Sequence, residues 1–264
     1  MQAAGINLSA FGLARRPLLA VAADKGKGEL HIELQPATAF LGKFKLSDEC
    51  NAVFDQWRAG LLGLPRPVAV DVALTADLPV EARFLWELTH RPLDFAFYGD
   101  APRTDRVGDF GERFRAMLSR SAFTLGKDLL ETAPAATVEL LQFRGQYRDG
   151  ACHHGKNGWK ADDSEQRADK LLAKLVAELG VNPGQGAERL NGDDVAAMLC
   201  ALAALGSAKG EGVLLPADLN AQVSERCGRR GGFEPNPRHK APPHSAVLAQ
   251  PFWESITVTR SAAE

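Results

Sequence analysis

Cysteine is scarce in this chain, with four in 264 residues at positions 50, 152, 200 and 227. None belongs to a C-x-x-C pair, so the pattern is neither a disulfide framework nor a zinc-finger arrangement, and a reducing, cytoplasmic setting is expected. Aromatic residues are few as well, at 7%. Long hydrophobic runs are missing: the longest, Val195 to Gly206, has twelve residues, whereas a membrane-spanning helix needs roughly 20. No membrane partner is expected. A dominant charge is also absent. With 31 basic and 33 acidic residues the net charge is −2, so no global positive field favours nucleic acid, and such binding has to rely on local basic patches.

What remains is the composition of a globular protein, 45% hydrophobic and 24% charged, long enough for one large domain or two small ones. Leu18 to Ala23 is too short, and follows the apolar stretch Ala3 to Phe11 too closely, to read as a secretory leader. Strands are expected instead at Ala4 to Ser9 and Pro17 to Ala23. A third is expected at Glu29 to Leu34, where Leu30, Ile32 and Leu34 alternate with polar residues. Ser47 is a candidate helix N-cap ahead of the stripe Val53, Phe54, Trp57 and Leu61. Pro67 to Leu74 (PVAVDVAL) reads as a central strand buried on both faces and interrupted only by Asp71. Helices are expected over Val80 to His90, Glu112 to Leu118, Pro134 to Leu141, Ser164 to Leu179 and Asp193 to Leu205. The last is apolar almost all round, which places it in the interior, with Gly206 as its stop. Gly212 to Pro216 reads as an edge strand. Residues 1–216 form the expected domain, and the Pro-, Gly- and Arg-rich residues 217–264 form an extension, in which Ile256-Thr-Val258 can dock as a strand.

Polar residues stand where apolar ones are expected. Asn7 interrupts the first strand, Asp71 interrupts the buried fourth, and Asp193 and Asp194 open the most apolar helix. An unpaired buried carboxylate costs several kcal/mol or takes up a proton. Grouping such residues around a divalent cation removes that penalty, and oxygen ligands select Mg2+ or Mn2+. The plainer reading makes Asp193 or Asp194 a helix cap and Asn7 a partner for nearby backbone.

Five segments occur in an order that resembles a known family: GINLS (5–9), VAVDVAL (68–74), ETAPAA (131–136), NGDDVAAMLCAL (191–202) and EGVLLP (211–216). They are similar to the family called domain of unknown function 429, predicted nucleases of ribonuclease H-like fold. The resemblance implies an α/β fold with a mixed five-stranded sheet flanked by helices, an antiparallel meander joined to parallel strands, and strands one and four adjacent. It also implies a catalytic, metal-binding set of Asn7, Asp71 and Asp194, with Asp193 and Glu131 as further ligands. Mg2+ or Mn2+ would there support phosphodiester hydrolysis in nucleic acid. The family pattern has Asp at position 7; Asn offers an oxygen without a charge, which weakens metal binding and leaves a non-catalytic interaction module as the alternative. Asn191, Val195 and Ala73 also depart from the pattern. A phosphotransferase of the actin-like superfamily ranks third, because the glycine-rich phosphate turns it needs are missing.

Candidate phosphate contacts are Arg103, Arg106, Lys156, Arg229 and Arg230. Arg91 and Arg103 to Arg106 resemble the arginine-containing segment that follows the fourth strand in the family, and can clamp a phosphate or pair with Asp94, Asp100 and Asp105; surface pairing is the simpler expectation. Cys152-His153-His154 lies in a loop-like stretch whose spacing does not suit one metal ion.

Overall fold

The computed structural model describes residues 1–7, 18–36, 49–74, 91–97, 114–141, 173, 176–231 and 240–261, the side chains of 228–231 excepted. Strand β1 (Gln2–Asn7) pairs antiparallel with β2 (Leu18–Gly26), which pairs antiparallel with β3 (Glu29–Pro36). This is the expected meander, and Leu30, Ile32 and Leu34 are buried. Helix α1 (Cys50–Leu62) buries Phe54, Trp57 and Leu61.

Strand β4 (Val68–Val70) then pairs parallel with β1, and β5 (Leu129–Glu131) pairs parallel with β4. The strand expected over residues 67–74 is therefore shorter than its apolar run. Past Asp71, whose N–H still bonds to β1, the Leu74 N–H donates to the Glu131 carboxylate at 3.0 Å. A side chain replaces a strand as the partner of that segment.

On the far side of β3, β9 (Ser255–Arg260) and β6 (Val181–Pro183) join in parallel, so the sheet has seven strands in the order β5-β4-β1-β2-β3-β9-β6. The expectation of five strands is corrected by these two. Ile256 and Val258 of β9 are fully buried in the main core, so this strand packs with the elements that precede residue 216. The segment Gly212 to Pro216 contributes β7 (Val213–Leu214), paired antiparallel with β8 (Val247–Leu248) in a second, two-stranded sheet.

Helix α4 (Gly192–Lys209) covers one face of the main sheet, against Ala3, Ala20, Ala22, Ala69 and the apolar residues of β3. Alanines and Gly5 let it approach closely; a Cβ built on Gly5 would lie 2.0 Å from the Ala201 backbone nitrogen. The opposite face packs Ile6, Val68 and Val70 against Phe54, Trp57 and Leu61 of α1, with Phe114 and Met117. As expected, α4 is interior. It does not stop at Gly206 but runs to Lys209, where Gly210 caps it at φ 71°. Gly206 is there for space: a Cβ would stand 2.6 Å from the Glu211 carbonyl oxygen.

The short helices α2 (Pro92–Ala96) and α3 (Pro134–Leu140) each have proline in the first turn, where its missing N–H and fixed φ cost nothing. They share a smaller core with α5 (Pro216–Gly231), built on Leu93, Phe97, Ala136, Leu219 and Val223. Residues 114–118 are helical, as expected for the end of the segment starting at Glu112. The helix expected over residues 80–90, and most of that expected over 164–179, lie outside the described residues; the latter closes at Gly180 with φ 67°.

Candidate functional site

Parallel strands carry their C-terminal ends to one edge of a sheet. Here that edge holds Asn7 at the end of β1, Asp71 just after β4 and Glu131 at the end of β5. Alternation along β1 and β4 puts Asn7 and Asp71 on the side of Gly5 and Ala69, which is the side covered by α4. The first turn of α4 reaches this edge. The Asn7 side chain, fully buried, donates from Nδ2 to the Asp193 carbonyl oxygen at 3.2 Å. The Asp71 N–H donates to the Ile6 carbonyl at 3.3 Å. Asn7, Asp71 and the start of α4 therefore meet at one end of the sheet.

The carboxylates divide between two arginines. Asp71 accepts from Arg91 Nη2 at 2.9 Å. Asp194 is fully buried, and its Oδ2 accepts from Arg260 Nη2 at 2.7 Å and from the Asn191 N–H at 2.8 Å. The latter bond is half of a capping box, because the Asn191 side chain accepts from the N–H groups of Asp193 and Asp194. The cap reading of this segment thus holds in full. Asp194 Oδ1 is buried with no hydrogen-bond partner among the described residues.

Arg91 is the centre of the edge. It is 1% exposed, and every nitrogen of its guanidinium has an acceptor. Nε donates to Asp94 Oδ2 at 2.6 Å and Nη2 to Asp94 Oδ1 at 2.9 Å. Nη1 donates to the Thr132 carbonyl at 3.0 Å and lies 3.5 Å from Glu131 Oε1. The pairing of Arg91 with Asp94 is the one its sequence spacing suggests, but it lies in the interior and not on the surface. Burial alone would lower the Arg91 pKa, yet the charges of Asp94 and Glu131 outweigh it and hold the group well above its ordinary range. Burial pushes the Asp94 carboxyl up to about 6 against the pull of Arg91. Burial also works to raise Glu131, but His244, Arg91 and the Leu74 N–H together hold it below its usual value.

Two members of the site escaped the sequence reading. His244 lies 3.5 Å from Glu131 Oε2 through its Nε2, and its only signal was a histidine between a Pro-Pro pair and an apolar run. Arg260 ends β9, and nothing in its local sequence marks it out. Of the candidate phosphate contacts, Arg103, Arg106 and Lys156 lie outside the described residues. Arg229 and Arg230 fall on α5 with side chains outside that set.

The donors around Asn7, Asp71, Glu131 and Asp194 are all oxygen, the chemistry that suits Mg2+ or Mn2+. Among the described residues no three acidic, histidine or cysteine side chains are grouped to hold one ion. Asp71, Glu131 and Asp194 are each answered by an arginine, a histidine or a backbone N–H. Comparison with family models, with curated proteins and with solved structures found no match. Among the described residues no helix is long and apolar enough to cross a membrane.

Proposed function

We propose that the chain is a ribonuclease H-like domain of the metal-dependent nuclease type whose acidic edge has been neutralised, so that it engages nucleic-acid phosphodiesters without hydrolysing them. The ribonuclease H-like assignment draws support from the order β3-β2-β1-β4-β5, with β2 alone antiparallel among these five. It is also supported by the meeting of Asn7 and Asp71 beneath the first turn of α4. The observation that carries the loss of cleavage is the state of the three core positions. Position 7 has no charge and spends its amide on a carbonyl, while Asp71 and Asp194 each hold an arginine. In-line phosphodiester hydrolysis by two cations needs carboxylates committed to metal, and these are committed elsewhere.

A second reading, an active nuclease using Mg2+ or Mn2+ at Asn7, Asp71 and Asp194, is favoured by one observation, the buried and unpartnered Oδ1 of Asp194. One experiment separates the two. Labelled branched DNA, single-stranded DNA and RNA are titrated with the full chain, with Mn2+ present, and both binding and cleavage are followed. Binding without cleavage supports the proposal. Cleavage that requires Mn2+ and vanishes in Asp71→Ala establishes the second reading, and absence of binding to every substrate refutes both.

A further inference from the structure

Three carboxylates, from Asp71, Asp94 and Glu131, face the single guanidinium of Arg91. Their oxygens lie 2.6 to 3.5 Å from its nitrogens. They come from the loop after β4, the first turn of α2 and the end of β5, so three separate elements converge on one cation. The acid side chains are 16%, 5% and 1% exposed respectively, which makes Asp71 the member closest to solvent. Around this cation the acids outnumber the base. His244 is a further polar group directed at the cluster: it is 4% exposed, and its Nε2 lies 3.5 Å from Glu131 Oε2.

A divalent ion and a guanidinium ask different things of such a pocket. Mg2+ or Mn2+ draws oxygens into a compact shell at short range. A guanidinium spreads one charge over a planar fork and takes its acceptors in directed pairs at hydrogen-bond distance. The contacts here are of the second kind: a two-point grip on Asp94, a shared bond from Nη2 to Asp71, and a carbonyl bond at Thr132. We propose that Arg91 is the resident cation of this edge, standing where a divalent ion would otherwise gather the acids, so that the unmodified chain takes no Mg2+ or Mn2+ at Asp71. The inference rests on the proposed function only for the kind of ion it names.

Arg91 therefore holds the site in a metal-free form, and removing its charge opens the site. The test is thermal unfolding and titration calorimetry of the full chain with MnCl2, without nucleic acid. The unmodified chain should show no saturable Mn2+ binding that depends on Asp71. Arg91→Gln should unfold at lower temperature without the ion and recover by roughly 5 °C or more when saturated. The double variant Arg91→Gln/Asp71→Asn should lose that recovery. Arg91→Lys, which keeps a positive charge, should stay insensitive to Mn2+. Saturable Mn2+ binding by the unmodified chain that Asp71→Asn abolishes would overturn the proposal, whether or not Arg91→Gln folds. So would a folded Arg91→Gln whose unfolding temperature ignores the ion. Because no substrate is present, these results are independent of nucleic-acid binding: rescue by Mn2+ in a chain that binds no nucleic acid would refute the proposed function and leave this inference standing.

Discussion

Gly5 of β1 lies directly against Ala201 of α4, with only 2.0 Å between the position of a Cβ on the glycine and the alanine backbone nitrogen. The obstruction is backbone, which no rotamer change relieves. Gly5→Ala should therefore push α4 off the sheet and destabilise the fold by about 3 kcal/mol or more. Urea unfolding followed by circular dichroism checks this, and a loss under about 1 kcal/mol would show that the two elements yield more easily than their contact implies.

Asn7 donates to a carbonyl from a fully buried position. Replacing it with the aspartate of the family pattern removes that donor and sets a carboxylate against the Asp193 oxygen. Asn7→Asp should lower stability by about 1 to 3 kcal/mol. It should not create Mn2+-dependent cleavage while Arg91 remains, because Asp71 is still paired. A scan of melting temperature with a parallel cleavage assay reads both outcomes.

The cap of α4 and its ion pair can be separated. Asp194→Asn keeps an acceptor for the Asn191 N–H but gives up the charge facing Arg260. Asp194→Ala gives up both. The alanine variant should be the less stable of the two, by about 1 kcal/mol for the lost cap. Arg260→Ala leaves a buried carboxylate without its cation, and should cost more than removal of an exposed pair. Chemical denaturation of the three variants side by side tests the ranking.

The pH dependence of stability follows from Asp94 and Glu131, which shift in opposite directions. In the folded chain Asp94 releases its proton near 6, against an ordinary 3.8. Its preference for the protonated folded state is complete below 3.8 and disappears as pH rises through 6. Glu131 is held below its ordinary 4.5, so its contribution is present above 4.5 and is lost as pH falls below it. Between about pH 5 and 7 Asp94 governs this pair. Its contribution to stability should decrease across that window, and Asp94→Asn should flatten the profile. A difference in slope between the two proteins, measured by urea midpoints at several pH values, is the readout.

The meander and the α1 stripe were legible because period-two and helical spacing survive wherever one face is buried. The interior position of α4 could be read from its apolar perimeter, while the nearness of Asn7 to Asp71 followed only from the family resemblance. The end of α4 was not legible. A glycine demanded by a carbonyl 2.6 Å away, Gly206, looks in sequence like one that terminates a helix. Strand β6 was also hidden, since three residues ending in Asn-Pro carry no alternation to detect. In sequence Arg91 reads as a phosphate clamp or as a partner of nearby acids such as Asp94. Its hold on Asp71 and Glu131 comes from segments 20 and 40 residues away, and nothing in local spacing encodes that.

Strand β9 lies between β3 and β6, hydrogen-bonded on both sides. A chain cut before Ser255 loses two ladders at once and bares two rows of backbone donors and acceptors, each a template for another molecule. Shortened forms should therefore fail through self-association and not through simple loss of one element. During synthesis the growing polypeptide passes through the same open-seamed state until β9 has left the ribosome.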